Sequence, residues 1–266
     1  MNPARFLARI AAPAVALAAV FSSPLAAQTN ELHARFDDAF GTEMRAPETF
    51  EAIYANSFEQ RIAELADGDQ GRIGVAALDL ATGEAITILG DQLFPMASTS
   101  KIAIAATYLE MVEQGRYSLT SEFPLLIPVR SAKFSSPAAP VREGNYMPAI
   151  DLIEIMITRS SNPATDALLA AVGGPEKVND WMRRQGINDF SIDRDIATLV
   201  RDDGEFDPAN WIDPRDSATP RAMVRLLQGL YRGDFLSDQS RYVLLGAMSR
   251  TVTGKRRIPA NMPDDA

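Results

Sequence analysis

Ser98 and Lys101 lie three residues apart at the start of an apolar segment, and this spacing constrains the chain more than any other feature. After Lys101 the sequence continues Ile-Ala-Ile-Ala-Ala, and apolar residues recur at helical spacing as far as Leu109. This pattern predicts a buried helix that begins near Ser98, because Pro95 lies just upstream and Gly115 follows as a stop. On such a helix the Ser98 hydroxyl and the Lys101 ammonium share one face.

A lysine in this position is suited to act as a base. Burial of an unpaired ammonium is costly and lowers its pKa, and a serine beside such an amine can lose its proton without a histidine. The sole histidine, His33, lies near the N-terminus, which argues against a Ser-His-Asp triad and a histidine-rich zinc site. The chain has no cysteine, so it has neither a thiol nucleophile nor disulfides. We therefore predict no cofactor and no metal.

Residues 1–27 have the pattern of a secretory signal peptide. Arg5 and Arg9 precede an apolar run over residues 10–21 that is too short to span a bilayer, and small residues follow. Cleavage there leaves one domain, residues 28–266, exported to the periplasm, whereas an uncleaved membrane anchor is the alternative. Cleavage changes the net charge from −9 to −11. Such acidity disfavours nucleic acid and anionic membranes as partners, and no stable membrane span is expected.

The periodicity of the remaining sequence predicts an α+β fold, with an antiparallel sheet packed against a mainly helical body. Residues 47–66 carry an apolar stripe at helical spacing, and residues 72–80 and 85–89 are predicted to form a hairpin. Further helices are predicted after Pro148 and over residues 164–172, 176–185, 221–231 and 240–250. Residues 118–147 are predicted to form a long connection with short helical pieces, and residues 187–220 a loop.

A second polar group, Ser160-Ser161-Asn162, lies in a break between two predicted helices. Serine and asparagine are common helix caps, and Pro163 at the following position fits that interpretation. Together with Ser98 and Lys101 the group indicates a catalytic cleft. Ser-x-x-Lys followed by a Ser-x-Asn element is typical of class A β-lactamases and penicillin-binding proteins.

The chain resembles the class A serine β-lactamases in three segments that follow in the same order. The segments are residues 94–101, 156–169 and 215–223, and the similarity extends over about residues 47–260. The resemblance implies a periplasmic hydrolase that opens the β-lactam ring through an acyl-serine, with antibiotic resistance as the outcome. It also implies a monomer whose partner is a small-molecule β-lactam or a peptidoglycan-like peptide.

The resemblance also implies a role for each matching residue. Ser98 is the implied nucleophile, and Lys101 is the implied base or proton relay. Ser160 passes a proton toward the leaving nitrogen, and Asn162 hydrogen-bonds the amide side chain of the substrate. The backbone N–H of Ser98, at a helix N-terminus, supplies half of an oxyanion hole.

The omega loop of this family reads Arg-x-Glu-x-x-Leu-Asn, and we match it to residues 201–207. Arg201 and Asp216 are then the ion pair that closes the loop, with a solvated surface pair as the alternative. Asp203 takes the place of the glutamate that activates the deacylating water, one methylene shorter, and Glu205 can substitute if the loop shifts. An acidic loop without a catalytic role is also possible, so acylation is better supported than fast turnover.

Together with the replaced omega-loop glutamate, two further departures from the family pattern leave three functions open. Ser161 and Asp166 replace a usual Asp and a usual Asn, and no Lys/Arg-Thr/Ser-Gly triad follows residue 166. By analogy we expect three strands and a C-terminal helix to be missing after Ala266. The leading function is a β-lactamase. The alternatives are a D-alanyl-D-alanine peptidase or penicillin-binding enzyme that deacylates slowly, and a non-catalytic relative that binds peptidoglycan-like ligands.

Overall fold

The described helices and strands confirm the predicted α+β class. The computed structural model describes residues 57–66, 72–208 and 210–256, and both the predicted signal peptide (residues 1–27) and His33 lie outside these ranges. The helices are α1 (Ser57–Ala66), α2 (Ser100–Glu113), α3 (Ala149–Arg159), α4 (Asn162–Val172), α5 (Pro175–Arg184), α6 (Ile196–Arg201), α7 (Pro220–Arg232) and α8 (Asp238–Ser249). The strands are β1 (Val75–Leu78), β2 (Ala85–Ile88), β3 (Phe94–Pro95), β4 (Glu122–Pro128), β5 (Val141–Pro148) and β6 (Ser217–Ala218).

Helix α2 is the centre of the helical body, as its apolar sequence predicts. A 3₁₀ turn over Ala97–Thr99, which contains Ser98, leads into this helix. Gly115, which has a positive φ of 69°, follows the end of the helix. Ala103, Ile104 and Tyr108 are fully buried. The helix packs against α3, α4, α5 and α8, because a helix that is apolar on all sides has to be covered on all sides. The candidate nucleophile therefore lies at the end of the most enclosed helix.

The surrounding helices complete a single hydrophobic core with α2. Leu152, Ile153 and Met156 of α3 are fully buried in it, together with Leu168 of α4 and Trp181 of α5. None of the described helices has the length and apolar character needed to cross a membrane.

Three two-stranded antiparallel sheets flank the helices. The predicted hairpin is present as β1–β2, with Val75 opposite Ile88. Strands β3 and β6 pair with Phe94 opposite Ala218, and the Met96 N–H donates to the Asp216 carbonyl at 3.1 Å. This pairing holds residues 216–218, near the end of the predicted loop, beside residues 94–96, which precede Ser98.

The prediction for residues 118–147 is wrong, because this segment forms the hairpin β4–β5 instead of helical pieces. Pro124 and Pro128 obscured the strand pattern. Proline is tolerated here because, among the described residues, this sheet consists of β4 and β5, so each strand lies at an edge. The ladder also shifts register between Pro124 and Leu126, where proline can be accommodated.

The predicted loop over residues 187–220 contains the short helix α6. The Asp195 carboxylate caps it by accepting a hydrogen bond from the Thr198 N–H at 2.7 Å. Six residues are too few to display a helical period in sequence, so the cap residue was the only local signal.

Replacement of Leu168 by alanine is expected to lower the free energy of unfolding by about 2–5 kcal/mol, because the side chain is fully buried and a cavity would remain. Leu227→Ala is the matched control, since Leu227 is 39% exposed on α7 and its loss should cost about 1 kcal/mol or less. Urea denaturation followed by circular dichroism measures both. Equal losses in the two variants would contradict the assignment of the core.

Candidate active site

Lys101 lies at the centre of a polar cluster between α2 and the junction of α3 with α4. Its Nζ is 3.0 Å from Ser98 Oγ, 2.8 Å from Ser160 Oγ and 2.9 Å from Asn162 Oδ1. The Ser160 carbonyl also lies 3.0 Å from Nζ, and the Ser160 hydroxyl donates to Ser98 Oγ at 2.8 Å. These four residues, called the Lys101 cluster below, are the four that the sequence predicted would form the acylation site.

The protonation state of Lys101 is set by its burial. Its side chain is 2% exposed, whereas Ser98 is exposed at the surface of the cleft. Loss of solvation lowers the pKa of Lys101 to about 8, and the negative charge of Asp166 opposes that shift. A neutral amine keeps a lone pair that can accept the proton of a neighbouring hydroxyl. Lys101 can therefore act as a base close to neutral pH.

Two residues with left-handed backbone conformations shape the cluster. Ala97 has φ of 46° and Ser160 has φ of 58°, and such conformations cost non-glycine residues about 1–3 kcal/mol each. Ser160 ends α3, and Ser161 caps α4 by accepting a hydrogen bond from the Ala164 N–H at 3.4 Å. The segment therefore combines both predicted roles. Ser161 is the helix cap, and Ser160 and Asn162 face Lys101 in the cleft.

The Lys101 cluster opens into a cleft of about 810 Å³. Ile102 and Met156 form part of its wall, and the segment after α8 forms another part with Thr251 and Thr253. That segment is held to α3 by a hydrogen bond from the Val252 N–H to the Thr158 carbonyl at 3.0 Å. Thr251 and Thr253 were not predicted as site residues, and the Thr253-Gly254 dipeptide after α8 is the one local signal for them in the sequence.

The predicted ion pair between Arg201 and Asp216 is wrong. Arg201 pairs with Asp202 at 2.7 Å, and its guanidinium holds the pKa of that carboxyl at about 2. Asp216 pairs with Arg194 at 2.7 Å and also accepts hydrogen bonds from the backbone N–H groups of Asp193 and Arg194. Helix α6 begins two residues after Arg194 and ends at Arg201, so a count of fifteen residues back from Asp216 selected the arginine at the far end of this helix.

The Arg194–Asp216 pair changes the match between this chain and the family pattern Arg-x-Glu-x-x-Leu-Asn. When Arg194 is the arginine of the pattern, Ile196 stands at the glutamate position and Leu199 at the leucine position. The start of α6 is fixed at this position, because the Asp166 carboxylate accepts hydrogen bonds from the Ile196 N–H at 2.7 Å and the Ala197 N–H at 2.9 Å. Helix α4, which carries Asn162, therefore also holds the start of α6.

The two carboxylates proposed for deacylation do not join the Lys101 cluster. Asp203 is exposed, and its carbonyl oxygen accepts a hydrogen bond from Lys133. Glu205 pairs with Arg215 at 2.6 Å. Across the described ranges, no hydrogen bond or ion pair links either carboxylate to the cluster. A deacylating role for Asp203 therefore stays a prediction. No group of three or more His, Asp or Glu side chains in the described part of the chain is arranged to hold a metal ion.

Comparison with known sequences gives the same family that the motifs indicated. Residues 57–266 match the profile of the β-lactamase enzyme family. The chain is 32% identical over 212 residues to β-lactamase CTX-M-4 of Salmonella typhimurium, an alignment that covers 79% of this chain and 69% of the relative. It is 31% identical over 208 residues to a β-lactamase of Proteus vulgaris, with 78% of this chain and 73% of the relative covered.

Solved structures show the same relationship. An ancestral class A β-lactamase is 36% identical to this chain with a TM-score of 0.64, covering 78% of this chain and 76% of that one. A β-lactamase from Chitinophaga pinensis is 27% identical with a TM-score of 0.66, covering 79% and 76%. Taken with the Lys101 cluster, these similarities show that the chain belongs to the β-lactamase enzyme family, as a hydrolase related to the class A serine enzymes.

Proposed function

We propose that this chain opens β-lactam rings through an acyl-serine intermediate on Ser98. The observation that carries the proposal is the contact of Ser98 Oγ with both Lys101 Nζ at 3.0 Å and Ser160 Oγ at 2.8 Å. In the first step neutral Lys101 accepts the Ser98 hydroxyl proton while Oγ attacks the lactam carbonyl carbon. The Ser98 N–H at the start of the helical turn donates to the oxyanion that forms.

The same cluster provides a path for the proton to the leaving nitrogen. Lys101 Nζ lies 2.8 Å from Ser160 Oγ, so the lysine can return the proton to this hydroxyl as Ser160 donates its own to the lactam nitrogen. The C–N bond then breaks, and the carbonyl carbon stays esterified to Ser98. Asn162 keeps its side-chain amide N–H₂ available for the substrate amide while its Oδ1 binds Lys101.

A second function, that of a D-alanyl-D-alanine peptidase or penicillin-binding enzyme, is favoured by one feature of the loop. Ile196 stands where the family pattern has its water-activating glutamate, and the Lys101 cluster contains no carboxylate. Without a base for the incoming water, the acyl-serine formed with a β-lactam should hydrolyse slowly. The two functions share the acylation step and differ in the lifetime of the ester.

The proposed setting of this chemistry is the periplasm, with export directed by residues 1–27. The support is the charged, apolar and small-residue pattern of that segment. β-Lactam breakdown there would give antibiotic resistance.

Intact-mass spectrometry during incubation with a penicillin tests the acylation step directly. We expect the mass of the protein to increase by that of one penicillin and the adduct to map to Ser98. Ser98→Ala should abolish the adduct, because it removes the nucleophile. Ser249→Ala, which removes a hydroxyl from α8, is the control and should acylate normally. A folded wild-type protein that neither carries an adduct nor releases hydrolysed penicillin would refute both proposed enzymes.

The burial of Lys101 predicts how stability depends on pH. Because the folded-state pKa of about 8 lies below the ordinary lysine value of 10.5, the unfolded chain binds more protons between these pH values, and stability rises with pH. From pH 7 to pH 10, the free energy of unfolding of the wild type should rise by about 2–3 kcal/mol relative to Lys101→Met. Urea titrations at both pH values measure this difference. Lys177→Met on exposed α5 controls for the loss of one positive charge, and an equal pH effect there would contradict the burial argument.

A carboxylate at position 196 should shorten the lifetime of the acyl-enzyme. Ile196→Glu is expected to speed loss of the penicillin adduct by at least about tenfold, because general bases typically contribute factors of 10²–10⁴. Val200→Glu is the matched control, since it adds the same group to an exposed position of α6. Time-resolved intact mass measures both. If Asp203→Asn slows adduct loss while Ile196→Glu has no effect, Asp203 is the base and the Arg194 match is incorrect.

A further inference from the structure

Asp166 is a buried carboxylate that the acylation mechanism does not use. It is 2% exposed and lies on α4 one helical turn, about 6 Å along the axis, beyond Asn162, which binds Lys101. Residues four apart on a helix share one face, so Asp166 lies on the side of α4 that bears Asn162. A carboxylate is seldom buried this deeply unless its charge or its hydrogen bonds are needed.

We propose that Asp166 is a positioning residue of the catalytic centre, whose negative charge holds Lys101 toward its ammonium form while its two oxygens fix the start of α6. The effect on catalysis rests on the proposed function, whereas the electrostatic coupling between Asp166 and Lys101 can be measured independently of that function.

The hydrogen bonds explain why an aspartate suits this position better than the asparagine that is usual in the family. Oδ1 accepts from the Ile196 N–H at 2.7 Å, and Oδ2 accepts from the Ala197 N–H at 2.9 Å. The two backbone donors here are bound by two different oxygens of the side chain, and an amide in the same orientation offers an oxygen at only one of these positions. Asparagine would turn an N–H₂ group toward one of the two backbone N–H groups and leave that donor without a partner.

The charged groups around Asp166 come from two elements. Lys101 of α2 stabilises the carboxylate, and Asp195 before α6 opposes it, while burial has the largest effect and raises the pKa of Asp166 to about 6. Asp193 and Arg194 line the same cavity, and Arg194 is held by Asp216. Helix α5 and the β4–β5 hairpin contribute only uncharged residues to this cavity, namely Gly174, Pro175, Leu126, Pro137, Ala138 and Val141. No charged group of α3 acts on the carboxylate in the described part of the chain.

The ionisation of Asp166 therefore changes the balance between the charged and neutral forms of Lys101. Above a pH of about 6, Asp166 is ionised and favours the charged form of Lys101, which opposes the effect of burial. Removal of this charge must therefore lower the pKa of Lys101 further. A larger fraction of the amine would then be neutral at pH 7, and acylation would begin at lower pH.

The test measures the Lys101 pKa in the full chain by the ¹³Cε chemical shift as a function of pH, in wild type, Asp166→Asn and Asp195→Ala. We expect Asp166→Asn to lower that pKa by about 0.5–1 unit. Asp195→Ala removes the cap of α6 and should leave the Lys101 pKa unchanged, which separates loosening of the helix from loss of charge. Asp166→Glu keeps the charge and should retain the wild-type value. An unchanged Lys101 pKa in folded Asp166→Asn would overturn the proposal.

Two further measurements keep the proposal testable if Asp166→Asn does not fold or if the wild type is not acylated. The rate of acylation by a fluorescent penicillin should shift to lower pH in Asp166→Asn by the same amount as the Lys101 pKa. If the wild type is not acylated, the proposed function fails and the NMR titration still decides the role of Asp166. If Asp166→Asn does not fold, the Ile196 and Ala197 amide signals of the wild type should titrate together with Lys101 Cε through a common step near pH 6. Absence of that step would overturn the proposal.

Discussion

The structure depends on the enclosure of one amine. Lys101 is almost fully buried, yet its Nζ faces four oxygen acceptors within 3.0 Å. Without those acceptors the ammonium would be too costly to bury, and without the burial its pKa would lie too high for a base at neutral pH. The acceptors come from two short segments, the turn before α2 and the junction of α3 with α4, so the packing of α2 against α3 and α4 is what creates the site. The strained backbone at Ala97 and Ser160 is held in place by the same packing.

The loop after α5 is fixed by carboxylates in a comparable way. Asp216 fastens its end through Arg194 and two backbone N–H groups, and Asp166 fastens the start of α6. Both anchors satisfy backbone donors that would otherwise be buried without partners. The loop is therefore tied to α4, which carries Asn162, and to Met96 in the segment that leads into Ser98. A substitution of Asp166 or Asp216 would therefore act on the Lys101 cluster through the backbone and not through contact with the substrate.

The sequence predicted the parts of the site that depend on local spacing. Ser98 and Lys101 are three residues apart on one helical turn. Ser160 lies in the two-residue break between α3 and α4, and Asn162 is the first residue of α4, so their relative positions follow from helix geometry. The Arg201–Asp216 pair failed because it relied on a count of residues across a loop, and α6 changes the path of the chain between Arg194 and Arg201. The β4–β5 hairpin was missed for a related reason: its pairing joins residues distant in sequence, and its prolines suggested a loop.

The helical body and the loop after α5 contribute to different steps of the proposed turnover. Acylation needs only groups that the helical body already places together, since the nucleophile, the base and the proton donor are all within 3.0 Å of one another. Deacylation needs a base that reaches a water molecule on the other side of the ester, and in this family the omega loop supplies it. Here the loop presents Ile196 at that position and holds Asp203 and Glu205 outside the cluster. In the proposed mechanism the helical core thus determines whether Ser98 can be acylated, and the path of the loop determines how long the ester persists.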